Sequence, residues 1–208
     1  MRLFRTLSTN ASSVRLEGKH VFLRAPIERD WRAYAELRAA SRKFLEPWEP
    51  TWPSDALSRA AYYRRLNRYA SDWRNDTGYS MFLFDRGSSK ILGGISLSNV
   101  RRGVAQCGTL GYWMGEAHAS KGYMREGLRL LLEFSFRELS LHRVEAACLP
   151  INEPSQKLLQ GAGFSEDGYA RQYLKIRDQW QDHLLFSLLS EDFVESPISR
   201  AAEKPSTF

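Results

Sequence analysis

The chain is expected to fold as a single α+β domain, and three observations carry that expectation. Residues 79–84 form a short, almost continuous apolar run, and Ile91, Gly93, Ile95 and Leu97 recur at period two on one face of 91–100, both patterns of strands. The turn signals Asp85-Arg-Gly-Ser-Ser89 and Arg101-Arg-Gly103 join consecutive strands closely enough for an antiparallel meander. Beyond that meander the pattern becomes strand, helix, strand, with Met124, Leu128, Leu131, Leu132 and Leu139 as the helix's core stripe. A doubly wound dinucleotide fold would need a glycine-rich turn after an early strand, and residues 20–30 contain no glycine.

Each element follows in order. Residues 20–26 alternate weakly and form the first expected strand. Asp30 is placed to cap a helix running to about Ser41, with Trp31, Tyr34, Leu37 and Arg38 near helical spacing. A loop rich in proline and tryptophan occupies 46–53. A second helix over about 58–75 presents Tyr62, Leu66, Tyr69 and Trp73 on one face, and 76–78 turn into the strand at 79–84. Ile91, Gly93, Ile95 and Leu97 share a face of the next strand, where the pair Gly93-Gly94 signals close approach by a helix or a ligand. Strand 107–114 completes the meander. Strand 143–149, helix 154–161 and strands near 165–175 and 182–189 finish a mostly antiparallel sheet of about seven strands. The domain is bounded at 14–192, with a flexible arm at 1–13 and a disordered tail at 193–208.

With 208 residues, 43% hydrophobic and 26% charged, the chain suits one globular core. It has no apolar run of membrane-spanning length and no secretory signal, so a soluble, cytoplasmic protein with no membrane role is expected. The basic, serine- and threonine-containing first fifteen residues resemble an organelle presequence only faintly. Formal net charge +6 suits a polyanionic partner. No basic run interleaves with aromatics, so DNA binding is not expected. Cys107 and Cys148 sit in two expected strands without metal or redox spacing and read as small buried hydrophobes. His20, His118, His142 and His183 fall in no metal-ligand spacing, and no metal is expected.

The segment from Leu110 to Leu128 carries the chemistry. An apolar strand runs through a short turn into an amphipathic helix with Lys121-Gly122 at the junction. The unpaired N–H groups of a first helical turn, at the positive end of the helix dipole, form an anion site, and Gly122 lets a phosphate come close. Lys121 and Arg125 add positive charge. Plain turn chemistry is the competing reading of the same glycine. A second segment, Asn152-Glu-Pro-Ser155-Gln-Lys-Leu158-Leu159-Gln-Gly161-Ala-Gly163-Phe164, reads as a strand exit, a helix with Pro154 in its tolerated first turn, and a glycine stop.

Together these segments resemble the two acetyl-CoA-binding motifs of the GNAT (GCN-related) N-acetyltransferase superfamily. In the first motif Gly122 fits, while Ala119 and Met124 depart from the usual Arg or Gln and Gly or Ala. The second fits through Asn152, Ser155, Leu158 and Gly163-Phe164. Three further stretches, 42–50, 98–103 and 167–183, resemble the RimJ branch, enzymes that acetylate the N-terminal alanine of a small-subunit ribosomal protein. The resemblance spans about 14–192.

It implies the GNAT fold, with helices on both faces of the sheet and a splayed slot for acetyl-CoA between the strands ending near Met114 and starting near Arg143. It implies cofactor contacts from Met114, Gly115, Ala119, Ser120, Lys121, Gly122, Tyr123, Met124, Arg125, Asn152 and Ser155, with the N–H of Met114 or Gly115 facing the thioester oxygen. It implies no metal, a ribosomal protein N-terminus or the ribosome surface as partner, and a monomer or homodimer. Relatives place a tyrosine where this chain has Leu159, so Ser155 is the implied donor to the leaving thiolate; a serine bonding the backbone of its own helix is the structural alternative. Asn152 is likewise a helix cap or a pantetheine contact.

Trp48, Trp52 and Tyr112 are expected to wall the acceptor entrance. Glu49 is the candidate for guiding a proton away or holding the substrate ammonium, beside the reading of a solvated loop carboxylate. No histidine base is required, because an α-amine with pKa ~7.7–8.0 is roughly a tenth unprotonated at neutral pH, whereas a lysine near ~10.4 is under about one part in a thousand. A GNAT enzyme acting on a small amine, and a ribosome assembly factor with secondary acetyltransferase activity, are the alternative functions.

Overall fold

The computed structural model describes residues 14–193. The expected arm at 1–13 and the tail from 194 onward lie outside those residues. Phe193, assigned to the tail from sequence, packs its ring 5.4 Å from that of Phe136 and belongs to the fold.

One eight-stranded sheet runs in the order β1-β2-β3-β4-β5-β6-β8-β7. The strands are β1 (Arg15–Glu17), β2 (Val21–Arg24), β3 (Tyr79–Asp85), β4 (Ile91–Arg101), β5 (Cys107–Met114), β6 (Arg143–Cys148), β7 (Ser165–Ile176) and β8 (Gln179–Leu189). Seven were expected. The eighth, β1, has three residues, too few for an alternation to register, and exists by pairing with β2. Every neighbouring pair is antiparallel except β5 with β6.

Among the described residues five α-helices cover the sheet: α1 (Trp31–Ala40), α2 (Arg42–Leu45), α3 (Arg59–Arg74), α4 (Tyr123–Glu133) and α5 (Glu153–Gly161). Strand alternation divides the core between the two faces. Val21, Leu23, Met81 and Leu83 join Leu128, Leu131 and Leu132 of α4 in the larger cluster. Phe22, Phe82 and Phe84 point the other way and pack with Tyr34 of α1 and Tyr62 of α3. Helices on both faces, as the resemblance implied, are therefore present.

Asp30 does not cap α1 with its side chain. Its carboxylate accepts from Ile27 N–H at 2.9 Å and takes both guanidinium nitrogens of Arg24 at 2.7 and 2.8 Å. A bidentate arginine outcompetes a helix N–H for the same oxygens. Ser58, by contrast, does cap α3, accepting from Ala61 N–H at 3.1 Å.

Candidate active site

The site is opened by a failure of pairing. Strands β5 and β6 are in parallel register only at Cys107↔Arg143, Gly108↔Val144 and Thr109↔Glu145. Beyond that, 110–114 has no β6 partner while 146–148 stays with β8, so the two strands diverge around a slot. The antiparallel ladder with β4 decides which backbone groups face it. Gly115 N–H donates to Leu92 O at 2.9 Å, and in such a ladder alternate residues direct their N–H and C=O away from the partner. Met114, opposite Gly93, is the next residue, so its N–H turns from β4 toward the slot. Of the two donors the sequence offered for the thioester oxygen, Gly115 is already committed and Met114 is open.

The turn between β5 and α4 is shaped by positive φ. Ser120 has φ 58° and Gly122 has φ 83°, both left-handed, a conformation that lets successive backbone N–H groups converge on one point. Gly122 is the residue before α4 and supplies no side-chain cap, and a Cβ built there would meet nothing within 4 Å. The glycine thus has a conformational reason, and open space lies beside it. The N–H groups of Tyr123, Met124 and Arg125 open the helix and have no intrahelical acceptor. The Met124 side chain is buried in the larger core cluster, so only its backbone is available. Ala119 closes a short 3₁₀ turn by donating to Glu116 O at 3.2 Å. Lys121 is not simply a mobile charge, because its Nζ donates to Ala117 O at 2.7 Å. Arg125 is exposed and extends toward Gly161 at the end of α5.

Asn152 precedes α5, and its Oδ1 accepts from Ser155 N–H at 3.2 Å, the capping alternative. Ser155 Oγ lies 2.6 Å from Tyr112 OH, which arrives from β5 across the slot. Tyr112 is pushed up to about 12 by burial, against a lowering hydrogen bond from Ser155. Burial also pushes the Cys148 thiol up, again opposed by Ser155. Both hydroxyls and the thiol hold their protons at neutral pH. Tyr112, placed in the acceptor wall from sequence, does line the cavity described next but also touches Ser155. Cys107 and Cys148 are buried free thiols, as expected.

A cavity of about 560 Å³ opens on the α1–α3 side of the sheet, lined among others by Arg38, Glu49, Trp52, Arg65, Arg68 and Tyr112. Glu49 is not a solvated loop carboxylate. Arg38 donates to Oε1 and Oε2 at 2.7 and 2.5 Å, and Trp52 Nε1 donates to Oε2 at 2.7 Å. The Arg38 guanidinium also sits 4.2 Å from the Trp52 ring centroid and 4.8 Å from that of Trp113. Trp52 is therefore fixed at the cavity wall, whereas Trp48 is not among the lining residues. The β7–β8 turn supports this loop from outside, with Arg177 N–H donating to Glu49 O at 3.3 Å and Thr51 Oγ1 to Asp178 at 2.6 Å.

Arg38, Arg65, Arg68 and Trp113 were not foreseen as site residues. Arg38 left one trace, an arginine inside the apolar stripe of α1, and it is only 7% exposed. Trp113 explains Gly93-Gly94: a Cβ at Gly93 would stand 2.4 Å from Trp113 O and one at Gly94 2.3 Å from Trp113 Nε1, so the group in close approach is a residue of the neighbouring strand and not a helix.

Among the described residues no group of three or more His, Cys, Asp or Glu is placed to hold a metal ion, and no helix is long and apolar enough to cross a membrane.

Comparison with known proteins adds to this geometry. Residues 20–165 match the family model of the acetyltransferase (GNAT) domain. The probable N-acetyltransferase YjcK of Bacillus subtilis (strain 168) is 32% identical over 177 residues, covering 85% of this chain and 98% of that protein. The [ribosomal protein uS5]-alanine N-acetyltransferase of Escherichia coli (strain K12) is 33% identical over 185 residues, covering 89% and 95%. The structure of Mycobacterium smegmatis RimJ in complex with CoA-disulfide superposes with TM-score 0.81 at 28% identity, covering 86% of this chain and 87% of that one.

Proposed function

Because the chain belongs to the GNAT acetyltransferase family, we propose that it is an acetyl-CoA-dependent N-acetyltransferase acting on a protein N-terminal α-amine, with the N-terminal alanine of a small-subunit ribosomal protein as acceptor. The observation that carries this reading is the divergence of β5 from β6 beside a left-handed, glycine-containing helix entrance. The relative that acetylates an alanine of uS5 supports the acceptor.

Acetyl-CoA supplies an activated thioester acetyl group. The open space at Gly122 and the unpaired backbone at 110–114 fit it. In this reading the N–H groups of 120–125 receive the pyrophosphate, assisted by Arg125, and the free edge of β5 pairs the pantetheine amides as an added strand would. Met114 N–H donates where negative charge develops on the thioester oxygen. Ser155 Oγ supplies the proton for the departing sulfur, with Tyr112 behind it as the next donor. The cavity between α1, α3 and the sheet takes the acceptor. Glu49, with both oxygens engaged by Arg38 and Trp52, holds the cavity wall, and the amine's proton passes to water. An α-amine permits that, since it lies ~2.5 pK units, or ~3.4 kcal/mol, below a lysine.

The test is acetylation of a peptide beginning with alanine, compared with the same peptide blocked at its α-amine and carrying free lysines. Acetylation of the first alone, with a rate rising toward pH ~8, is expected. Robust acetylation of the blocked peptide would overturn the reading. Intact masses of ribosomal proteins from cells lacking the enzyme identify the acceptor by the loss of one acetyl group.

A further inference from the structure

The acceptor cavity has a charge that its reaction does not require. Three arginines line it, Arg38, Arg65 and Arg68, against one carboxylate, Glu49. Arg38 is neutralised by Glu49 through two hydrogen bonds, although its buried Nε has no partner. Among the described residues neither Arg65 nor Arg68 forms an ion pair with a carboxylate. Arg65 is half-buried, and its Nη1 donates to Tyr34 OH at 2.5 Å. Arg68 is exposed, and its guanidinium lies 5.6 Å from the centroid of the Tyr69 ring. The two stand three residues apart on α3, hence on one face of that helix.

An amine acceptor arrives largely as a cation, and two uncompensated guanidinium groups repel it. Such a cavity is productive when the acceptor also carries an anion for the arginines to grip, with the same positive charge then favouring the unprotonated, nucleophilic form of the amine. Guanidinium groups match carboxylates in geometry as well as in charge.

We infer that Arg65 and Arg68 form an anion subsite that selects acceptors with a carboxylate close to the amine, namely N-terminal segments with an acidic residue within the first few positions. This rests on the N-terminal acetyltransferase reading and gives it a substrate class. A carboxylate beside an amine also occurs in a free amino acid, so the experiment separates the two sources.

The experiment measures kcat/KM for peptides beginning with alanine that differ only in carrying Glu, Gln or Lys at positions two to four, with free L-alanine as a further acceptor. For the unmodified enzyme at low salt the Glu peptide is expected to exceed the Lys peptide by at least about tenfold, and rising salt should shrink that ratio. In Arg68→Glu, an exposed site where folding is not at stake, the preference should invert toward Lys. In Arg65→Gln/Arg68→Gln the ratio should collapse toward one, through KM for the Glu peptide. Equal kcat/KM for all three peptides, each acetylated at its α-amine, would overturn the anion subsite and leave N-terminal acetylation standing. Efficiency with free alanine equal to that with the Glu peptide would overturn the peptide assignment. No α-acetylation of any peptide would overturn both readings.

Discussion

At the scale of single residues, two positions carry the proposed chemistry by opposite means. Gly122 acts through what it lacks: φ 83° and empty space at its Cβ direction. Gly122→Glu should therefore be tolerated by the fold, since a non-glycine residue in the left-handed region costs ~1–2 kcal/mol, a few degrees in Tm for a chain of this size. Its side chain would occupy the space read as the phosphate approach and bring a like charge. Acetyl-CoA affinity, measured by calorimetry, should fall by well over tenfold, more than ~1.4 kcal/mol; undiminished affinity in the folded variant would remove the phosphate site. Ser155 acts through what it holds, a hydroxyl 2.6 Å from Tyr112 OH. Ser155→Ala should lower kcat by ~10²-fold with little change in acetyl-CoA affinity, the low end for losing a positioned donor. Tyr112→Phe should cost less, and the double variant should resemble Ser155→Ala alone, because a relay fails at its first missing member. A Ser155→Ala kcat within twofold of the parent would leave Ser155 a structural residue.

At the scale of elements, the site depends on one strand, β5, having different neighbours along its length. It is paired on both sides at 107–109 and on one side only at 110–114. Its aromatic end is held by packing across the ladder to β4, where Trp113 lies over Gly94 and meets Tyr34 edge-on at 5.9 Å. Gly94→Ala places a methyl 2.3 Å from the Trp113 indole nitrogen. Overpacking of this kind costs ~1–3 kcal/mol, and denaturant unfolding should show a lowered midpoint with unchanged slope. Because Trp113 also sits against the Arg38 guanidinium, KM for the acceptor should rise more than KM for acetyl-CoA. Equal effects on the two constants would mean that the strain spreads along β5 into the slot.

At the scale of the whole molecule, the ends of several elements are tied together by carboxylates whose charge the fold needs. Asp76, after α3, binds Arg102 in the β4–β5 turn and Tyr79 of β3, and Arg102 reaches on to Leu139 O. Burial raises its pKa, but hydrogen bonds from Arg102 and Tyr79 outweigh this and leave it lowered. Asp182 on β8 is lowered by hydrogen bonds from Tyr169 and Gln172 N–H, and Asp85 by those from Ser88. A carboxyl with a depressed folded pKa contributes stability that is complete above its unfolded value, near ~3.9, and is lost as pH falls through the folded value. Stability should accordingly be level with respect to these groups near neutrality and decline below pH ~4. Thermal unfolding of Arg102→Gln across pH should show a shallower acid decline than the parent; an identical decline would mean that Asp76 does not contribute to it.

By itself the sequence determined what depends on local period and backbone type: the helices at 31–40, 59–74 and 153–161, seven of the eight strands, the glycine at the entrance to α4 and the order of elements that makes an α+β sheet. Motif resemblance added the family, through Gly122 in one segment and Asn152 and Ser155 in the other. What only the tertiary structure decided concerns groups distant in sequence and satisfied in space. Whether Gly115 or Met114 has a free N–H depends on Leu92 across the ladder, and no local pattern records that register. Glu49 reads as a loop carboxylate until Arg38, eleven residues earlier, is seen to take both oxygens. Tyr112 and Ser155 are forty-three residues apart and meet because β5 and α5 border the same opening. Trp48 and Trp52 look equivalent in sequence, and only the hydrogen bond from Trp52 to Glu49 fixes which one walls the cavity. The charge of Arg65 and Arg68 is of the same kind: a helix sequence shows two arginines, and only the packed molecule shows that, among the described residues, neither forms an ion pair with a carboxylate.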